Sequence, residues 1–292
     1  MAPSPFKIWW LGIRPKTLTI AVSPVLVGTA IAWAEQGQVS LLTMVVALIG
    51  AMLIQAGTNL HNDSADYRKG TDMPGRDGPQ RITAEGMATP EAVTRAAYIS
   101  FGLAALAGCY LIWIGGWPIL ALGLMSIFAG LAYTGGPKPI AYTALGEIFV
   151  FLFFGLGAVM GSHFLQTGAS TIDALIAAFA VGLPAAAVLA VNNYRDMEGD
   201  AKAGKNTLAV RMGRTVSKRE YAGLLLVPFV LLAPLIEMRS WSWLPVLSLP
   251  LALLLIRAFW TTSPGPTFNG ILARTALFQL LFALLLSLGL LL

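Results

Sequence analysis

Long apolar runs, each closed by a glycine, a proline or a patch of charge, recur along almost the whole chain. An apolar stretch of about 18 or more residues can cross the hydrocarbon core of a bilayer as a helix. Nine such spans are read from the sequence, over approximately 17–34, 40–61, 92–114, 117–134, 142–165, 171–192, 219–237, 242–262 and 270–291. Most breaks are tight turns: Gly115-Gly116, Gly135-Gly136-Pro137 and Ser263-Pro264-Gly265-Pro266. Two connections are longer and polar, at about 62–91 and 193–218. The pattern predicts an all-α polytopic membrane protein. It forms a single domain over residues 1–292, a nine-helix bundle capped on its cytoplasmic side by the two long connections.

Composition and charge agree with this pattern. The chain is 57% hydrophobic and 11% charged, with a mean hydropathy of +0.73. That is too little charge to cover a water-soluble surface. The formal net charge is +5, but no basic stripe interleaved with aromatics is present, so no nucleic acid partner is expected. The cations sort by loop. The connections after even-numbered spans hold Arg68, Lys69, Arg76, Arg81, Lys138, Arg195, Lys202, Lys205, Arg211, Arg214 and Lys218, with Arg257 and Arg274 near the ends of the last two spans. Those after odd-numbered spans hold Arg239 alone. The positive-inside rule therefore predicts a cytoplasmic N-terminus and a C-terminus outside the cytoplasmic (inner) membrane. Lys7, Arg14 and Lys16 precede an apolar segment ending Ala32-Trp33-Ala34, which superficially matches a signal peptide. Pro15, Pro24 and the many spans that follow favour an uncleaved first span. The single cysteine, Cys109, lies in an apolar run and is expected to pack as a small hydrophobe.

Two acidic clusters stand out against this background. In "NLHNDSADYRKGTD", Asn59 and Asp63 are four residues apart, as are Asn62 and Asp66. On a helix these form two adjacent columns. In "NNYRDMEGD", Asn192, Asp196 and Asp200 follow at i, i+4 and i+8. Both clusters close even-numbered spans, so both are expected at the same membrane surface and free to converge. Carboxylates gathered this closely repel unless a cation lies between them. Mg²⁺ suits hard oxygen donors and takes one or two carboxylates, with water and substrate phosphate completing its shell. The cations that follow each cluster suit the remaining charge of a diphosphate.

These motifs resemble the UbiA superfamily of intramembrane prenyltransferases, which carry two aspartate-rich motifs at the ends of spans 2 and 6 of a nine-helix fold. The usual first motif is N-x-x-x-D-x-x-x-D. Here Asn59 and Asp63 fit, but Asp66 comes three residues on, with Tyr67 in the usual place. That spacing, followed by "RDGPQRI", resembles the 1,4-dihydroxy-2-naphthoate prenyltransferase branch, as do "YTGGPKPIAYTALGE" and "NNYRDMEGDAKAGKNTLAVRMG". The resemblance implies prenyl transfer from a polyprenyl diphosphate to 1,4-dihydroxy-2-naphthoate, with Mg²⁺ as cofactor and loss of CO₂ and diphosphate. The product would be demethylmenaquinol, on the way to menaquinone.

Asn59, Asp63, Asp66, Asp196 and Asp200 are the expected metal and catalytic residues, with Asn62 and Asn192 beside them. Asp72 belongs to the branch pattern. Lys138, Lys205 and Arg211 are candidate partners for diphosphate or carboxylate, and Arg14, in an Arg-Pro shared with the family, lies at the mouth of span 1. Glu147 is an intramembrane carboxylate that either orients the aromatic substrate or pairs with a loop cation. Tyr133 faces either the reacting cation or the interface. His61 is expected to support the first motif, and His163, far from the clusters, receives no function. Two other readings stay open at this point. One is transfer to 4-hydroxybenzoate, homogentisate or a porphyrin-type ring, or from a phytyl donor. The other is an ion-coupled transporter, disfavoured because transporter sites sit near the bilayer midplane.

Overall fold

The computed structural model describes residues 3–72 and 78–292; Arg76 of the first long connection lies outside them. A short helix α1 (Pro5–Ile13) precedes the spans α2 (Pro15–Gln36), α3 (Leu41–Arg68), α4 (Pro90–Thr134), α5 (Gly146–Thr167), α6 (Ile172–Lys202), α7 (Leu208–Met238), α8 (Ser240–Thr261) and α9 (Phe268–Leu291). Ser4, Ser40, Thr89, Thr171 and Thr207 cap helix starts by accepting a backbone N–H three residues on. No described residue forms a strand.

Eight of these helices are long and apolar enough to cross a membrane. At 45 residues α4 would be about 67 Å long if straight, over twice the hydrocarbon core. It breaks at Gly116, whose φ of 64° and ψ of −152° are readily adopted only by glycine. The two limbs lie side by side. The Phe101 ring on the first limb is 3.4 Å from a Cβ placed on Gly130 of the second, and 3.0 Å from one placed on Gly57 of α3. Counting the limbs separately gives the expected nine spans among the described residues.

Helix α6 is the axis of the larger core. Its Ala177, Ala178, Val181, Ala185 and Val188 are buried against α2, α5, α7 and α9. Small side chains let neighbouring backbones approach closely, the usual basis of helix association in lipid. The tightest approach is to α5, where a Cβ on Gly182 would lie 2.8 Å from the Gly155 Cα. Gly155 sits in a stretch of α5, Phe151–Met160, wound as a π-helix. At one end of the bundle the Tyr221 and Phe259 rings stack at 4.2 Å, with Tyr194 at 4.5 Å from Phe259.

The other end is closed by polar contacts. Glu35 receives Thr171 Oγ1 at 2.7 Å and faces His163 Nε2 at 2.7 Å, while Arg239 bonds Asp173 and the Ala34 carbonyl. His163, given no function above, thus ties α2 to α5. Arg239, the lone cation of its set of loops, ties α7 to α2 and α6.

Both acidic clusters remain helical. Helix α3 runs to Arg68 and α6 to Lys202, and α7 begins at Leu208. The second expected loop, 193–218, therefore contracts to residues 203–207. Helix-forming Ala, Met, Glu and Lys continue α6 past the apolar run, so hydropathy underestimates its length. The α5–α6 contact yields a prediction. Gly182→Leu should cost about 1–3 kcal/mol, seen as a lower thermal midpoint in detergent, because backbone cannot move aside. Gly223→Ala, with nothing within 4 Å of the added carbon, should leave the midpoint equal or higher. Equal midpoints for both variants would contradict the close approach.

Candidate active site

The last turns of α3 present one column to the interior and another to a loop. Asn59, Asn62 and Asp66 line a cavity of about 550 Å³. The Asn59 amide donates to the Ile13 carbonyl at 2.9 Å and to Thr17 Oγ1 at 3.0 Å, fixing α3 against the α1–α2 corner. Asn62 Oδ1 accepts from Arg14 Nη2 at 3.3 Å. Arg14 is the corner residue itself, held at a φ of 54°, the one positive value outside glycine among the described residues. Such a conformation costs about 1–3 kcal/mol and persists where surrounding structure imposes it. Here it aims the guanidinium into the cavity mouth.

The two clusters meet at Lys205. Its Nζ lies 3.7 Å from Asp66 Oδ2 and 3.8 Å from Asp200 Oδ1, and all three side chains are buried. Lys205 follows directly on the end of α6, its backbone N–H closing onto the Asp200 carbonyl at 2.8 Å. Asp66 also accepts from Tyr142 Oη at 3.1 Å and lies 3.7 Å from Arg81 Nη2. The Tyr142 ring carries Lys205 Nζ at 4.9 Å from its centroid and Lys69 Nζ at 5.0 Å. Burial foremost pushes the Tyr142 phenol up to about 12, with Asp66 adding to the shift against the Thr71 hydrogen bond, so it stays a donor. Burial also lowers the Lys69 ammonium, Asp66 opposing and Lys205 assisting. Arg81 Nε forms an ion pair with Asp72 Oδ2 at 2.6 Å, which accounts for the buried Asp72.

Several expectations change in the structure. Asp63 does not line the cavity. Both its oxygens accept backbone N–H groups, from Ile82 at 3.0 Å and Thr83 at 2.9 Å, so it secures the connection after α3. One helical position is about 100°, which turns Asp63 away while Asn62 and Asp66 face inward. Asp196 is gripped by Arg195 through both carboxylate oxygens, at 2.8 and 2.7 Å, and Arg195 also bonds Asn192 and Asn269. Lys138 and Arg211 are exposed and outside the cavity wall. Tyr133, Asn192, Asp200 and Lys205 do line it. Glu147 is buried, and its partner is the Asn193 amide rather than a loop cation. His61 lies beside Gly135. Cys109 is exposed and borders the cavity instead of packing in a core.

Sequence reasoning gave Arg81, Tyr142 and Asn193 no site role. Arg81 and Tyr142 sit in connections whose hydropathy carries no positional signal, although both lie within or beside the motifs quoted above. Arg81 Nη1 is buried without a hydrogen bond among the described residues.

Away from the charged end the cavity is apolar. It passes Ile20, Val25, Leu111, Ile119, Phe153 and Leu165, residues spread over much of the depth of the bundle. The arrangement is a cationic and carboxylate head opening into a hydrocarbon-lined passage, suited to a ligand with an anionic head and a long apolar tail. Among the described residues no three His, Cys, Asp or Glu side chains converge as a cage. One inward carboxylate from each cluster instead matches the Mg²⁺ habit of taking few protein ligands plus phosphate oxygens.

The Asp63 clamp is testable by limited proteolysis. Asp63→Ala should cost about 1.5–3 kcal/mol and speed cleavage between residues 78 and 89. Asp66→Asn, which keeps both backbone clamps on Asp63, should speed it less. Unchanged cleavage in Asp63→Ala would remove the clamp.

A family model, the UbiA prenyltransferase family, matches residues 21–268. The chain is 39% identical to the 1,4-dihydroxy-2-naphthoate octaprenyltransferase of Escherichia coli over 97% of this chain and 94% of that one. It is 36% identical to the protein of the same name from Haemophilus influenzae, over 98% and 96%. Its fold is similar to that of a UbiA homolog from Archaeoglobus fulgidus solved with GPP and Mg²⁺, with a TM-score of 0.68 at 19% identity over 97% of this chain and 99% of that one. The inward aspartates, the nine-span bundle and these matches agree: the chain belongs to the UbiA prenyltransferase family.

Proposed function

We propose that this protein is a Mg²⁺-dependent 1,4-dihydroxy-2-naphthoate polyprenyltransferase. It joins an isoprenyl group to the naphthoate ring, releases diphosphate and CO₂, and yields demethylmenaquinol for menaquinone synthesis. The observation that carries this reading is the two-part cavity, with Asp66, Asp200 and Lys205 at its head and an apolar passage beyond. The curated relatives of nearly equal length bear the name of this activity.

Asp66 and Asp200 would hold Mg²⁺, with Asn59 and Asn62 beside them on α3. Bound there, the ion supplies Lewis-acid neutralisation of charge on the leaving diphosphate. The chain's own cations do the same work. Arg14, Arg81 and Lys205 line the head, and their donors stabilise charge that grows as the allylic C–O bond breaks. Lys205 also keeps Asp66 and Asp200 together when no other cation does. Asp63 and Asp196 act as positioning residues, Asp63 by fixing the stretch that carries Arg81 and Asp196 by fixing Arg195 and hence Asn192. The apolar wall beyond excludes water from the allylic cation, so the ring carbon is the nucleophile at hand.

The charged mouth faces the cytoplasm in this proposal, because Lys69, Arg81 and Lys205 gather there beside the cation-rich ends of α3 and α6. The stretch 78–81 then serves as part of a cap over the site. Reporter fusion to the C-terminus should give an external signal.

Purified protein given dihydroxynaphthoate and polyprenyl diphosphates of several lengths should form the prenylated, decarboxylated product by mass spectrometry only with Mg²⁺. Asp66→Asn and Asp200→Asn should each lower kcat by roughly 10²–10³-fold. Product with 4-hydroxybenzoate alone, or full activity in either variant, would overturn the assignment.

A further inference from the structure

Glu147 and Asn193 form a buried pair that the diphosphate chemistry does not use. Glu147 is 5% exposed at the start of α5, and Asn193 is 7% exposed on α6. Glu147 Oε1 accepts from Asn193 Nδ2 at 2.7 Å, while Oε2 has no hydrogen bond among the described residues. A carboxylate buried with so little support is costly, so a structure retains it for more than packing.

The pairing fixes which way the amide points. With Nδ2 committed to the carboxylate, Asn193 Oδ1 has no hydrogen bond among the described residues, and Asn193 forms part of the cavity wall. The reverse orientation would set the amide oxygen against a carboxylate oxygen. Position then restricts the ligand. Asn193 adjoins Asn192 of the second cluster, and Leu189, one helical turn before it, shares the cavity wall with Tyr133. Gly146 keeps this corner open, since a Cβ there would lie 3.0 Å from Leu189 and 3.9 Å from Tyr133 Oη. The corner is thus an aromatic and aliphatic slot with one acceptor oxygen at its edge. A diphosphate or a ring carboxylate presents oxygens and is repelled by such a group. A ring hydroxyl presents a proton and is bound.

We infer that Asn193 Oδ1, oriented by Glu147, accepts a hydrogen bond from a hydroxyl of the aromatic acceptor and so selects a dihydroxylated ring. This rests on the prenyl-transfer reading above. Asn193 contacts the acceptor, and Glu147 is a positioning residue that acts through it.

The test uses the full chain in detergent and two naphthoates, each lacking one ring hydroxyl: 1-hydroxy-2-naphthoate and 4-hydroxy-2-naphthoate. Their inhibition constants against dihydroxynaphthoate report binding free of the electronic effect that hydroxyl loss has on the reaction itself. In the unaltered protein, the analogue lacking the recognised hydroxyl should bind roughly 10- to 100-fold more weakly than the other. In Glu147→Ala and Asn193→Ala that gap should shrink to within about threefold. KM for the prenyl diphosphate should stay within about twofold. Glu147→Gln keeps an oxygen to receive Nδ2 and should restore most of the gap, which a purely structural tie between α5 and α6 would not require. If Glu147→Ala fails to fold, Asn193→Ala decides. A gap that survives in Asn193→Ala, or a KM for diphosphate that rises in step with that for the ring, would overturn the inference. If the unaltered protein does not prenylate dihydroxynaphthoate at all, the prenyl-transfer reading fails instead.

Discussion

The bundle's charged end depends on holding Asp66 and Asp200 about one shared ammonium inside an apolar protein. Two unscreened carboxylates sharing one buried site repel each other. Lys205 offsets this, with its ammonium 3.7 Å from one and 3.8 Å from the other. The ammonium can hold that place only because its own backbone closes the end of α6 and because the Tyr142 ring lies beside it. Tyr142 in turn donates to Asp66, and its carbonyl accepts the Asn206 N–H at 2.9 Å. Three connections, after α3, α4 and α6, are thereby locked around one cation. Breaking one partner of such a buried set leaves an uncompensated charge, which is why removal of a single member costs more than the pair contributes.

The same end contains carboxylates with opposite duties. Asp63 and Asp66 are three residues apart on one helix, yet one is satisfied by two backbone N–H groups and the other by side-chain cations and a phenol. Backbone donors cannot move with a ligand, so Asp63 is fixed. Lysine and arginine heads on flexible stems can re-partner when an anion enters, so Asp66 is free to exchange its contacts. Asp196 and Asp200 divide too, by another means: Arg195 grips both Asp196 oxygens and is itself tied to Asn192 and Asn269, whereas Asp200 faces Lys205. Each cluster therefore couples one aspartate that builds the site to one that meets the ligand.

Much of the fold was legible because lipid imposes a simple rule: backbone polar groups must be satisfied within each span, so hydropathy marks helices directly. Nine spans followed, including the reversal at Gly116, since Gly115-Gly116 interrupts an otherwise continuous apolar run. Helix α1 was not legible, being too short and too close to span 1 to give a separate signal. The continuation of α6 to Lys202 was masked by its polarity. In the site, spacing located Asn59, Asp66 and Asp200 and gave their common end. It could not separate Asp63 from Asp66, because adjacent columns of one helix both satisfy the i, i+4 pattern. Arg81 and Tyr142 reach the site only through the paths of connections, which periodicity does not encode.

Specificity and chemistry also occupy different depths. The charged head would hold whichever diphosphate has a tail that fits the apolar passage, since neither Lys205 nor Arg81 reads beyond the phosphates. Discrimination between aromatic rings must come from groups with a fixed donor or acceptor sense, because an apolar slot distinguishes rings only by size. Among the described residues Glu147 has no cation and one side-chain donor, a costly burial that suits a group kept to orient that donor. Stability sacrificed at one buried group and recovered across the aromatic and alanine-rich packing of α6 is the pattern expected where a membrane bundle must both bind a common anionic head and reject the wrong ring.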